Sequence, residues 1–188
     1  MAELNLDHPS LPLVKAAFVN RQLYATEFRG QTTLVASKAD LHDVLRFLHD
    51  DERCRYDFLS DIMGADYLDY PENKLPGPAG RFAVIYNLLS TRDNRRLFVK
   101  VLLDPSGDTR VATDDPELHL PTVTDIWPGA EWLEREAFDM FGIHFDGHPD
   151  LRRILLWESY PAFPLRKDYP VKGQQEREMF RVVERHDA

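Results

Sequence analysis

The stretch Phe82-Ala83-Val84-Ile85-Tyr86-Asn87-Leu88-Leu89, followed after the turn residues Thr91-Arg92-Asp93-Asn94-Arg95 by Leu97-Phe98-Val99-Lys100-Val101-Leu102-Leu103, decides the fold. Both runs are rich in β-branched and aromatic residues, and the polar residues between them suit a tight reversal, so they read as an antiparallel hairpin at the centre of a sheet. Upstream, Pro71, Pro76, Gly77, Pro78 and Gly80 mark residues 71–80 as a loop. Before that loop, a strand is expected near Ile62–Leu68. Further upstream, Ser37 stands as an N-cap with Asp40 at the third position, and Leu41, Val44, Leu45 and Leu48 recur at helical spacing. Leu23–Phe28, Arg29-Gly30 and Thr32–Val35 read as strand, turn and strand. Leu13, Val14, Ala17 and Phe18, after Pro9 and Ser10, suggest a short amphipathic helix.

Downstream of the hairpin, Asp104–Pro121 is polar and proline-bearing and reads as a connecting segment. A helix is then predicted to start near Pro128, because Ala130, Leu133, Ala137, Met140 and Phe141 share one face, and Gly142 is placed to end it. Gly147, Pro149, Pro161, Pro164 and Pro170 break residues 143–173 into an extended arm, which needs a surface to lie on. The order α-β-β-α-β-β-β-α predicts an α+β fold, a mainly antiparallel sheet flanked by helices with an extended C-terminal arm. We expect an α+β domain over residues 1–142 and a proline-broken arm and tail over 143–188.

The 188 residues carry a formal charge of -9, which works against nucleic acid as a partner, since phosphate binding requires a basic surface. The charge is uneven. Residues 150–188 hold eight Lys and Arg against seven Asp and Glu, leaving 15 against 25 in the first 149. Cys54 is the one cysteine, and a single thiolate can neither close an internal disulfide nor hold an iron–sulfur cluster. Met1–Asp7 has neither a basic nor an apolar segment, so no secretory signal is expected. No run reaches the roughly 18 apolar residues of a membrane helix, so any membrane would be reached through partners. The glycine-rich phosphate loops and the serine-hydrolase elbow have no counterpart here.

Three constellations could carry chemistry. The helix Glu131–Asp139 is rich in carboxylates, including Glu134, Glu136 and Asp139 around Arg135. These either form i, i+4 pairs on a solvated face or meet arginines of the following arm or of a neighbouring subunit. His144, Asp146, His148 and Asp150 are metal-ligand types, but Gly147 and Pro149 interrupt them, and a hydrogen-bonding or capping role is the expectation, with no metal. In the arm, Arg152, Arg153, Arg166, Lys167 and Lys172 alternate with Trp157, Tyr160, Phe163 and Tyr169. That mixture suits single-stranded nucleic acid or a protein interface, and the acidic total favours the interface.

Glu134-Arg135-Glu136-Ala137-Phe138-Asp139-Met140-Phe141-Gly142-Ile143, followed by Gly147-His148-Pro149-Asp150-Leu151-Arg152-Arg153-Ile154-Leu155, resembles the signature of the respiratory complex I 30 kDa subunit family. Pro164-Leu165-Arg166-Lys167-Asp168-Tyr169-Pro170 resembles its second hallmark, and Phe82–Ser90 and Val123–Pro128 add to the likeness. Together these cover roughly residues 45–170. One departure is Ala162, where the family usually has glycine two places before the hallmark proline, and it leaves the local turn open.

The resemblance implies a non-catalytic assembly subunit in the peripheral arm of a proton-translocating NADH:quinone oxidoreductase. FMN and the iron–sulfur clusters would sit on partner subunits, with none in this chain. Its partners would be the large quinone-site subunit, the adjacent cluster-bearing subunit and other peripheral-arm subunits, on the cytoplasmic side of the cell membrane. The residues expected at the partner interface are Glu134, Arg135, Glu136, Asp139, His148, Arg152, Arg153, Trp157, Tyr160, Phe163, Arg166, Lys167, Asp168 and Tyr169. Two alternatives stand beside this reading. One is the equivalent subunit of a membrane-bound hydrogenase or other-donor dehydrogenase; the other is a free-standing nucleic-acid- or metal-binding module.

Overall fold

A computed structural model describes residues 7–70, 79–109 and 114–173. Most of the 71–80 loop and all of residues 174–188 lie outside the described residues. The elements are α1 (Ser10–Ala17), β1 (Tyr24–Phe28), β2 (Gln31–Ala36), α2 (Leu41–Asp50), β3 (Phe58–Asp66), β4 (Phe82–Ser90), β5 (Arg95–Leu103), β6 (His119–Pro121), α3 (Ala130–Phe141) and β7 (His144–Asp146). This is an α+β fold around a five-stranded sheet of order β1-β2-β5-β4-β3. Every pairing in it is antiparallel except β2 with β5, which run parallel.

The central hairpin forms as its pattern dictates. Phe82, Val84, Tyr86 and Leu88 on β4 stand opposite Leu103, Val101, Val99 and Leu97 on β5, and all eight are buried on one face. Period-2 alternation places them there, and the helices bring Val14, Leu41, Val44, Leu45 and Leu48 down onto them. At about 25 cal/mol per Å² of apolar area, each such side chain contributes roughly 1.5–3 kcal/mol. The opposite face is thinner, with Val35, Ala83 and Leu102 buried and Ala65, Tyr67 and Ile85 beside them.

Four expectations shift. Ser37 and Asp40 do bond each other, with the Asp40 N–H on Ser37 Oγ and the hydroxyl on Asp40 Oδ2, but they close a turn and α2 begins only at Leu41. Strand β3 starts at Phe58 rather than Ile62 and passes an irregularity between Leu59 and Asp61. The connecting segment contains β6, and the arm opens with β7; these two short strands pair in parallel. Gly64 in β3 lies directly beneath the Phe141 ring where a Cβ would stand, which lets the end of α3 sit on the sheet.

Candidate functional site: the arm on helix α3

The site begins at the end of α3. Gly142 takes φ +71 and its N–H reaches the Phe138 carbonyl, the left-handed cap expected of a helix-ending glycine. A Cβ there would stand 2.5 Å from Arg166 Nη2 and 2.5 Å from the Phe163 ring, so the glycine also lets the arm close against the helix. Arg166 is almost wholly buried. Its Nε donates to the Phe141 carbonyl at 2.6 Å and its Nη1 to the Thr109 carbonyl at 2.6 Å. The guanidinium lies against the Phe163 and Phe82 rings, 4.5 and 5.2 Å from their centroids. Burial lowers its pKa to about 10, so it stays cationic at neutral pH.

One turn earlier, Asp139 is fully buried and accepts the N–H groups of Ile154, Leu155 and Leu156 at 3.0, 2.7 and 2.9 Å. Arg153 Nη1 donates to the same carboxylate at 2.6 Å, and its Nη2 donates to the Tyr160 and Ala162 carbonyls. Burial alone would raise the Asp139 pKa, but these backbone donors and Arg153 outweigh it and hold the carboxyl below its usual range. Arg135, also buried, donates to the Arg152 and Arg153 carbonyls, so it is turned away from the i, i+4 pairs of a solvated face. Of the helix carboxylates, Asp139 meets an arginine of the following arm, Arg153, within the one chain.

Glu134 faces the other way. Its carboxylate is inaccessible and accepts the Val123 N–H at 2.7 Å and the Thr122 hydroxyl at 2.6 Å. Burial pushes its pKa up to about 7. His148 packs near it, with Nε2 donating to the Glu131 carbonyl while Nδ1 accepts the Asp150 N–H. Glu136 is exposed, and Arg152 is an exposed partner of Asp150.

The second hallmark is anchored by residues that sequence reading missed. Asp66 at the end of β3 takes a bidentate pair from Arg81, at 3.0 and 2.8 Å, and the Lys167 N–H at 2.8 Å. Arg81 also meets Asp168 at 3.0 Å, and Thr109 donates to Asp168. Burial opposes ionisation of Asp66, but Arg81 and the Lys167 and Leu68 N–H groups keep its pKa below the usual value. The Lys167 side chain itself is exposed. Tyr160 and Tyr169 share a hydroxyl hydrogen bond of 2.6 Å, and the edge of Tyr160 meets Trp157. Ala162 is buried without needing a positive φ, so the turn accommodates alanine in place of glycine. The sequence signal for Asp66 and Arg81 was absent because their partners lie far along the chain.

A family model described as the respiratory-chain NADH dehydrogenase 30 kDa subunit matches residues 34–175, from within β2 through β3, β4 and β5 to this arm. The chain belongs to that family. It is 45% identical over 147 residues to the C subunit of NADH-quinone oxidoreductase from Caulobacter vibrioides, covering 78% of this chain and 65% of the relative. It is 42% identical over 163 residues to the corresponding C subunit of Burkholderia multivorans, covering 87% and 76%. Against some of these relatives the chain thus spans a little under two thirds of their length. Among solved structures, the trypsin-resistant fragment (1–134) of Nqo5 superposes with a TM-score of 0.58 at 35% identity, covering 75% of this chain and 96% of the fragment. Among the described residues, no helix is long and apolar enough to cross a membrane.

Proposed function

We propose that this family member serves as the C subunit in the peripheral arm of an NADH:quinone oxidoreductase, holding neighbouring subunits together without a catalytic centre of its own. Electrons would pass from NADH through FMN and iron–sulfur clusters on partner subunits to quinone. The arm would lie on the large quinone-site subunit and touch the adjacent cluster-bearing subunit.

The observation that carries this reading is a division of labour within the arm. Arg153 and Arg166 are spent on the chain's own carbonyls and on Asp139, which fixes residues 147–173, a described stretch without helix or strand. Leu155, Leu165 and Val171 meanwhile stand 61%, 55% and 105% exposed, with Trp132 and Trp157 alongside. Large apolar side chains displayed on a rigid mount are what an interface needs, because ordering costs are already met before binding.

The test compares two variants in the assembled complex. The double variant Leu155→Asp with Leu165→Asp keeps the thermal midpoint of the isolated chain but blocks assembly and quinone reductase activity. Arg166→Ala lowers the midpoint and, by loosening the mount, reduces assembly and activity together. Normal assembly and activity in both variants would refute the anchoring role.

A further inference from the structure

Beyond this role, the parallel register of β6 and β7 brings together residues that lie apart from the proposed interface. His119 stands opposite His144, and Pro121 opposite Asp146, so both imidazoles and the Asp146 carboxylate share one face of this small sheet. The two rings stack with centroids 4.4 Å apart and planes 17° from parallel. His119 Nδ1 lies 2.9 Å from Asp146 Oδ1, and His144 Nδ1 lies 3.5 Å from the same oxygen. One ligand atom from each of the three residues falls within 4.8 Å of the others.

The polarity of these atoms is the argument. Asp114 Oδ1 is 2.6 Å from His119 Nε2, so each ring nitrogen of His119 faces a carboxylate oxygen. A bound cation would take the place of the proton that His119 Nδ1 otherwise shares with Asp146. His144 Nδ1 is buried and has no hydrogen-bond partner, although it faces the same carboxylate. An imidazole nitrogen without a partner, a second imidazole nitrogen and an anionic oxygen thus lie close together, and a metal cation among them would give His144 Nδ1 the partner it lacks. A carboxylate behind a ligating histidine is also the usual way a protein orients such a ligand and raises its basicity.

We propose that His119, His144 and Asp146 form a binding site for a divalent transition-metal ion of the zinc type, with Asp114 orienting His119. Two nitrogens and one carboxylate suit Zn²⁺, Co²⁺ or Ni²⁺ rather than Mg²⁺ or Ca²⁺, which take oxygen ligands. Ligand bonds of about 2.0–2.2 Å draw the three donors together by small side-chain rotations. The fourth position is left to water or to a side chain of a partner. The ion acts as a clip, joining the segment that follows β5 to the start of the arm.

The test uses the full chain, stripped with chelator and titrated with ZnCl₂ by calorimetry, with MgCl₂ as control. The expected result is one Zn²⁺ per chain and a thermal midpoint raised by roughly 5 °C or more when Zn²⁺ is a hundredfold above its Kd. His144→Gln and Asp146→Asn each abolish that site, and Asp114→Asn weakens it by about 10- to 100-fold. Co²⁺ bound to the unaltered chain gives visible d–d absorption that Zn²⁺ displaces. Absence of Zn²⁺ binding, an equal response to Mg²⁺, or binding undiminished in whichever of the two ligand variants folds would overturn the proposal. If neither variant folds, a Co²⁺ spectrum without imidazole ligation would do the same.

Discussion

Replacing Glu134 by Gln should remove a penalty that the folded chain carries at neutral and alkaline pH. The carboxyl is enclosed between α3 and the Thr122-Val123 backbone, and burial raises its pKa from 4.5 to about 7. Because the folded value is the higher one, the folded state binds more protons than the unfolded state between those pH values. The favourable contribution is therefore fully present below pH 4.5 and is lost as pH rises through 7. With 1.36 kcal/mol per unit, the loss approaches about 3 kcal/mol by pH 8, and about 2.5 kcal/mol of it falls between pH 5 and 8. Glutamine keeps the useful bonds, since its amide oxygen can accept the Val123 N–H and its NH₂ can donate to Thr122 Oγ1. The Thr122 hydroxyl can then turn to Thr124 Oγ1, 3.0 Å away. Urea unfolding followed by tryptophan fluorescence at pH 5, 6, 7 and 8 reads the effect as a difference between the two proteins. Glu134→Gln should gain about 2–3 kcal/mol on the parent chain from pH 5 to 8, a relative midpoint shift of roughly 1 M urea. The depressed carboxyls of Asp66 and Asp139 titrate at lower pH and do not enter that window. A difference between the two proteins that is the same at all four pH values would refute a neutral, buried Glu134.

Two further outcomes follow from the arm. Asp139→Ala takes the carboxylate from Arg153, which keeps only carbonyl acceptors, and from three backbone N–H groups of residues 154–156, so it should cost about 3–5 kcal/mol in denaturant unfolding and open the arm to proteolysis near Arg153; unchanged stability and protection would contradict the tie. Gly142→Ala combines a positive φ with a Cβ too close to Phe163 and Arg166, so the expected cost exceeds about 1 kcal/mol by the same measurement, and a neutral effect would mean that the arm does not close there.

The sheet was readable because its information is local. Alternation in β4 and β5 and the apolar face of α3 each declare themselves within about ten residues, and Gly142 marks its helix end without help from elsewhere. The strands β6 and β7 were not readable, since three residues carry no usable periodicity and their pairing joins positions 119–121 to 144–146. The convergence of His119 on His144 and Asp146 was hidden for the same reason. Within the stretch 144–150 the histidines look like neighbours, yet His148 turns back to α3 and the residue that meets His144 comes from the connecting segment.

The charged arm shows what composition can and cannot reveal. Arginines alternating with aromatics point to an interface, but composition does not say which side chains face inward. The folded chain answers through hydrogen-bond supply: the last carbonyls of α3 and the carbonyls of an irregular segment need donors, and a guanidinium offers several in one plane. Arg153 and Arg166 meet that need while stacking on Tyr160, Phe163 and Phe82, so they are drawn inward. Leucine and valine bring no donors, and the flat path of the arm offers them no second core, so they remain outside at positions 155, 165 and 171. An irregular segment pinned by its cations therefore presents its apolar residues outward, and under the proposed role the covering subunit would meet it with a complementary apolar surface rather than with carboxylates for Arg153 and Arg166.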